Sequence, residues 1–212
     1  MADHDDFSSE DVWDEYQWER FLQTQDRCTE KYFGLLEKYL DHPDRDSLIA
    51  DEMGWTHQSL EHAWEAEFLC DADEETEECA EEEFARFASS DVYNDTLLLH
   101  QWINEWLDSH EDLKDDPLAA LFAKRSAVCG AKLAAALCGE DSTELGMTIA
   151  YLKRALKAAN DSLDAAAKLS GLGHLSPSET AEARSLVFRI RDRVIELMGE
   201  FRTEWQKRYG AG

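Results

Sequence analysis

The sequence has little of what builds sheets and disulfide frameworks. It contains only 3 Pro and 5 Cys in 212 residues. The odd number of cysteines and the absence of a Cys-x-x-Cys pair argue against both a disulfide framework and a zinc site, and favour reduced thiols. Only 5 Val, 5 Ile and 9 Thr stand against 26 Ala and 25 Leu. This ratio favours helices over strands and predicts an all-α protein.

The sequence also lacks long apolar runs. Its longest stretch without a charged residue is the ten residues 169–178, whereas a membrane-spanning helix needs about 20 mostly apolar residues. The residues that follow Met1 have neither the basic nor the apolar region of a secretory signal. We therefore expect a soluble, cytoplasmic protein without a membrane partner.

Basic residues are scarce and unevenly placed. The chain has 21 Lys and Arg against 47 Asp and Glu, a net charge of -26. Residues 1–116 hold 36 of the acids and 7 of the bases, while residues 117–212 hold 11 acids and 14 bases. An acidic protein repels nucleic-acid phosphate, so we expect no direct nucleic-acid binding.

Apolar residues at helical spacing predict several long helices. A stripe that includes Trp18, Leu22 and Leu36 marks a helix over residues 9–40. Asp116 before Pro117 and Ser176 before Pro177 are typical N-caps of two further helices. The second half carries three stripes, at Leu118, Phe122, Ser126, Cys129, Leu133 and Leu137, at Leu145, Ile149, Leu152, Leu156, Ala159, Leu163 and Ala166, and at Ala183, Val187, Ile190, Val194, Leu197 and Phe201.

These patterns predict an antiparallel bundle of four long helices. Residues 1–8 form a flexible acidic N-terminus, and residues 9–116 an acidic, Trp-rich helical part. Residues 117–212 form an Ala/Leu-rich three-helix part that packs with residues 9–40 as one bundle. Residues 44–113 then form a helical acidic insertion between helix 1 and the C-terminal three helices. Two helical subdomains divided near Pro117 are the alternative.

Catalytic and metal-binding templates are absent from the sequence. It contains no Glu-x-x-His, His-Glu-x-x-His, Gly-x-Ser-x-Gly or complete Gly-x-Gly-x-x-Gly pattern. His57, Glu61 and Glu65 would place three potential metal ligands on one helical face, although a solvated polar face is the favoured explanation of the spacing. No catalytic residue and no cofactor is predicted.

An acidic run is the most unusual segment. Three interpretations compete for it: a solvated surface, a contact surface for a basic partner, and weak binding of divalent cations. The candidate partner-binding residues are Asp71, Asp73, Glu74, Glu75, Glu77, Glu78, Glu81, Glu82 and Glu83. Nearby tryptophans could anchor a partner or line a pocket, but more often such residues fill a core; they are Trp13, Trp55, Trp64, Trp102 and Trp106.

The main hypothesis is a non-enzymatic cytosolic helical protein that presents an acidic surface to a basic partner. The alternative is a metal- or small-molecule-binding helical-bundle enzyme whose carboxylates and histidines come from several helices. A homodimer through an exposed helical seam also stays open. We expect the bases of the last helix to pair with acids of the N-terminal half or to face water; they are Arg184, Arg189, Arg191, Arg193, Arg202, Lys207 and Arg208.

Overall fold

The computed structural model describes residues 12–55, 90–137 and 144–210. Over these three ranges all regular secondary structure is helical and no strand occurs, which confirms the predicted all-α class. The α-helices are α1 (Glu15–Lys38), α2 (Arg45–Met53), α3 (Asp91–Ser109), α4 (Pro117–Leu137), α5 (Leu145–Gly171) and α6 (Pro177–Tyr209), and a short 3-10 helix covers Glu111–Leu113.

Side-chain caps fix the starts of the helices. At α6, Ser176 Oγ accepts from the Glu179 N–H, and the Glu179 carboxylate accepts from the Ser176 N–H at 2.7 Å. Asp116 Oδ1 accepts the N–H groups of the second and third residues of α4, both at 2.9 Å. Both caps agree with the sequence-based prediction. Helix α1 starts later than the predicted residue 9, because Asp14 caps it at Glu15.

The chain divides into two compact units. The first contains residues 1–18 and 82–212, and the second contains residues 19–81. In the first unit α3 packs against α4 and α6, and α5 also packs against α4 and α6, so that the four helices form a closed ring of contacts. The first unit is therefore a four-helix bundle.

The prediction that residues 9–40 supply the fourth helix is not confirmed. That position belongs to α3, which the sequence analysis had assigned to the insertion. The reason lies in the buried faces. Helix α3 buries Val92, Leu99, Ile103 and Trp106, whereas most of α1 beyond its first turn is exposed.

The three apolar stripes of the second half form the core of the bundle. Their central residues are almost completely buried, including Phe122 and Leu133 on α4, Leu152 on α5 and Val194 on α6. The predicted apolar faces of these three helices are therefore confirmed. The burial of each large apolar side chain stabilises the folded state by about 1.5–3 kcal/mol.

One polar contact lies inside this core. Ser126 on α4 and Ser162 on α5 are both fully buried, and their hydroxyl oxygens are 2.8 Å apart. Ser126 also donates its hydroxyl hydrogen to the Phe122 carbonyl at 2.9 Å. In the bond between the two serines, Ser162 is therefore the donor and Ser126 the acceptor. Because the pair satisfies its own hydrogen bonds, it can be buried without a large penalty.

The second unit is held by contacts between α1 and α2. The carboxylate of Glu52 accepts from Lys38 Nζ at 2.8 Å and from the Tyr39 hydroxyl at 2.6 Å. This pairing lowers the pKa of Glu52 and raises the pKa of Lys38 to about 12. Helix α2 ends at Met53, and its C-cap is Gly54, whose φ of 76° is in the left-handed region that favours glycine.

Candidate functional site

The acidic run and the candidate metal ligands fall in a part of the chain that the structure does not describe. Residues 71–83, His57, Glu61, Glu65 and Trp64 all lie outside the described ranges, so their predicted roles stay predictions. Among residues 12–55, 90–137 and 144–210, no group of three or more His, Cys, Asp or Glu side chains could hold a metal ion.

The other tryptophans have different environments. Trp106 is buried, and its ring lies 6.3 Å from the parallel ring of Trp102; both rings pack edge-on against Phe122. These two residues fill the core, as the simpler interpretation predicted. Trp13 and Trp55 are partly exposed, with exposed fractions of 40% and 41%.

A cavity of about 430 Å³ opens in the first unit, near the start of α1 and the C-terminal part of α6. Its size is within the usual range of small-molecule sites, about 300–1,000 Å³. The lining residues are Asp14, Glu15, Tyr16, Ile149, Arg202, Trp205 and Gln206. Its lining includes the buried Ile149 and the exposed Tyr16, and the cavity is open at the protein surface.

A buried carboxylate organises one wall of the cavity. The Glu15 side chain is only 11% exposed and receives two hydrogen bonds from Arg202, from Nε and from Nη2, both 3.0 Å long. Lys153 Nζ lies 3.8 Å from the same carboxylate and 4.5 Å from the centre of the Tyr16 ring. The bidentate contact with Glu15 raises the pKa of Arg202 above its ordinary value. This geometry fixes the plane of the guanidinium group.

A glycine allows the chain before α1 to reach the bundle at this point. Gly146 is in the first turn of α5, and a Cβ atom there would overlap the Trp13 carbonyl oxygen and lie 2.9 Å from Trp18 Cδ1. The Trp13 and Trp18 rings contact each other edge-on at 5.1 Å. Gly146 therefore sets the position of Asp14 and Glu15 in the cavity wall.

We expect Glu15→Gln to destabilise the protein by about 1–2 kcal/mol, because it leaves Arg202 and Lys153 without their shared charged partner. Urea unfolding followed by circular dichroism measures this change. Glu30→Gln, on the exposed part of α1, is the control and should change stability by less than about 0.5 kcal/mol. Equal effects of the two substitutions would show that the Glu15 contacts add nothing.

The bases of α6 pair mainly with acids on the same helix. Arg193 contacts Glu196 and Glu200, at 3.0 and 3.1 Å, and Arg208 contacts Glu204 at 2.7 Å. Two arginines pair with acids of the N-terminal half. Arg189 lies 3.2 Å from Asp95, and Arg202 binds Glu15, so the predicted pairing with that half is confirmed at these two positions.

Of the two described cysteines, Cys129 lies in an environment that does not suit a nucleophile. Cys129 is buried in α4, and burial raises the pKa of its thiol to about 12, so the thiolate that would act as nucleophile is scarce near neutral pH. The burial of Cys129 agrees with its place in the predicted apolar stripe of α4. Cys28 is exposed on α1.

Comparison with known proteins gives no functional assignment. No protein-family model, curated protein or solved structure matches the chain. None of the helices in the described ranges is long and apolar enough to cross a membrane.

The cavity residues come from distant parts of the chain. Glu15 and Arg202 are 187 positions apart, and Ile149 belongs to a third segment. The sequence analysis included Arg202 among the bases of the last helix but had no local motif that connects it with Glu15. Only the three-dimensional structure brings these residues together.

Proposed function

We propose that this protein is a non-enzymatic helical interaction protein that presents an acidic surface to a basic partner. The observation that carries the proposal is an acidic excess that the chain's own bases leave uncompensated. Residues 1–116 hold 36 acids against 7 bases. Between described residues, the bases of α6 bind mostly acids of α6 itself, while Arg189 and Arg202 contact acids of that half.

Such a charge excess favours association with a cationic surface. Long-range electrostatic attraction raises the rate at which the two partners meet. Salt weakens this attraction, because at about 0.1 M ionic strength it screens charges that are more than about 10 Å apart. A basic partner would also relieve the repulsion among the acids. The nine acids among residues 71–83 are the densest part of this surface in the sequence and are the proposed centre of the contact.

Exposed apolar residues in the second unit support the proposal. Phe33 is 60% exposed on α1, and Trp55, which follows α2, stacks on Tyr32 with ring centres 5.9 Å apart. Exposed aromatic side chains are frequent energetic centres of protein interfaces. The unit thus combines a negative charge that can attract a partner with apolar groups that can hold it.

A pull-down from lysate of the source cell tests this function with two variants of equal charge change. In one variant Glu74, Glu75, Glu77, Glu78 and Glu81 become Gln. In the control, five exposed acids of the second half are neutralised, namely Asp164, Glu182, Asp192, Glu196 and Glu200. We expect a basic protein that is retained by the wild type and the control, is lost with the first variant, and is released by high salt.

Either of two results would contradict the proposal. One is that wild type and both variants retain the same proteins. The other is that the control variant loses the partner as completely as the first variant does. The second result would mean that only the net charge matters, and not the acidic run.

A further inference from the structure

Helices α4 and α5 carry an excess of positive charge within an acidic chain. Helix α4, Pro117–Leu137, has three bases and no acid, and α5, Leu145–Gly171, has four bases and two acids. The whole chain, by contrast, has a net charge of -26. Because α4 and α5 pack against each other, their outer side chains form one continuous surface of the four-helix bundle.

Five of these bases form a surface that we call the basic strip. They are Lys124, Arg125, Lys132, Lys157 and Lys168. Contacts between the two helices join the middle of the strip: Arg125 Nη1 lies 3.6 Å from Asp161 Oδ2, and Lys157 Nζ lies 3.1 Å from the same oxygen. Lys132 Nζ lies 5.5 Å from the centre of the Tyr151 ring. The other two bases of α5, Lys153 and Arg154, have contacts of their own.

The strip extends along most of α5. Lys168 follows Lys157 by about three helical turns and therefore lies on the same side of the helix. From Tyr151 to Lys168 the distance along the helix axis is about 25 Å, at a rise of about 1.5 Å per residue. An extended peptide rises about 3.3 Å per residue, so about eight of its residues would span the strip.

The strip stays positively charged after the nearby acids are counted. One carboxylate, Asp161, serves both Arg125 and Lys157, and the Lys157 side chain is 74% exposed. The three other bases of the strip form no ion pair with any residue that the structure describes. With both acids of α5 included, the net charge of this surface is +3. The strip can therefore accept further carboxylates.

The aromatic residues of α4 and α5 argue against nucleic acid as the occupant. Single-stranded nucleic acid is commonly bound through aromatic rings on which its bases stack. Phe122 is completely buried in the core, and the ring of Tyr151 has Lys132 over its face. Helix α3, which packs against α4, has four acids and neither Lys nor Arg. A longer polyanion would be repelled there.

A short acidic peptide fits these features better. Its carboxylates lie a few ångström apart along an extended chain and can meet the flexible lysine ammonium groups one by one. No large apolar side chain of α4 or α5 is highly exposed, so charge supplies most of the affinity. We propose that the basic strip binds a short, extended, acidic segment of a partner protein. This contact is separate from the one proposed for the acidic run, because it lies in the other half of the chain and attracts the opposite charge.

Titration of fluorescein-labelled octaglutamate with the full-length protein tests the proposal by fluorescence anisotropy. At about 50 mM salt we expect saturable binding with a Kd below about 100 μM, and at least about tenfold weaker binding at about 300 mM salt. Octaglutamine should show no saturable binding. An eight-nucleotide strand of deoxythymidine should bind more weakly than octaglutamate, because the covered Tyr151 ring offers its bases no stacking surface.

Two variants of equal charge change locate the binding surface. The strip variant carries Lys124→Gln, Lys132→Gln and Lys157→Gln, which leaves the pair between Arg125 and Asp161 in place. It should raise Kd for octaglutamate at least about tenfold. The control variant neutralises three exposed bases of α6, namely Arg184, Lys207 and Arg208, again to Gln. Its Kd should stay within about threefold of the wild-type value, and circular dichroism should show that both variants fold.

Four results would overturn the proposal. The first is the absence of saturable octaglutamate binding up to about 0.5 mM protein. The second is an equal loss of affinity in the strip variant and the control, which would mean that only net charge matters. The third is tighter binding of the oligonucleotide than of octaglutamate. The fourth is a dimer, seen by sedimentation at about 50 mM salt, that the strip variant dissolves, because a second copy would then occupy the strip. None of these results would alter the outcome expected for the acidic run in the pull-down.

Discussion

Val194→Asp is expected to abolish cooperative folding of the four-helix unit. Val194 is completely buried on α6 among the core residues that α3, α4 and α5 also supply. A carboxylate at this position would be removed from water without a cationic partner, which costs at least about 4 kcal/mol and is comparable with the whole stability of a domain. Circular dichroism and thermal unfolding measure the effect.

Ile195→Asp is the matched control for this substitution. It makes a similar chemical change one position further along α6, but the Ile195 side chain is 43% exposed. Its stability should change by less than about 0.5 kcal/mol. A cooperative transition of unchanged midpoint in Val194→Asp would contradict the described core.

Gly146→Ala is expected to destabilise the protein by about 2–3 kcal/mol, as overpacking does in other tightly packed sites. Alanine is normally about 1 kcal/mol better than glycine inside a helix. Here the added methyl group would overlap the Trp13 carbonyl oxygen and crowd the Trp18 ring. The segment that carries Asp14 and Glu15 must then move away from α5. Urea unfolding gives the stability change.

Gly199→Ala is the control for the helical preference itself. Gly199 is exposed on α6, and a Cβ atom there meets nothing within 4 Å. Alanine should therefore stabilise the protein by about 0.5–1 kcal/mol. If Gly146→Ala stabilised the protein by a similar amount, the close approach of residues 13–14 to α5 would be wrong.

The sequence predicts the helices of the second half well because their signals are local. A buried stripe repeats every three to four residues, so Phe122, Val187 and Val194 can be assigned to the core without knowledge of their partners. The starts of α4 and α6 are equally local, since each depends on a capping side chain followed by proline. These features are confirmed by burial and by hydrogen bonds.

The choice of the fourth helix is not local, and the prediction that residues 9–40 supply it is not confirmed. Both α1 and α3 carry apolar residues at helical spacing, and length favoured α1. The structure places α3 in the bundle because its face, with Leu99, Ile103 and Trp106, is more completely apolar. Length indicates that a helix can form but does not say which neighbour covers it.

The candidate site was inaccessible to sequence reasoning for a related reason. Its ion pair joins the first helix to the last, and its unpartnered N–H belongs to a tryptophan that has no special sequence context. The sequence does show the two members of the ion pair: an acid, Glu15, in the first turn of α1, and a base, Arg202, on the last helix. Only their spatial proximity distinguishes them from the many other charged residues of the chain.

The most direct test of the central claim is the salt dependence of partner binding. Affinity between the wild type and the basic protein captured in the pull-down is measured by calorimetry at about 50 mM and about 300 mM salt. We predict a loss of at least about tenfold across this range, and a weaker salt dependence for the variant with Gln at Glu74, Glu75, Glu77, Glu78 and Glu81. An affinity that is independent of salt and equal in both proteins would contradict an acidic interaction surface.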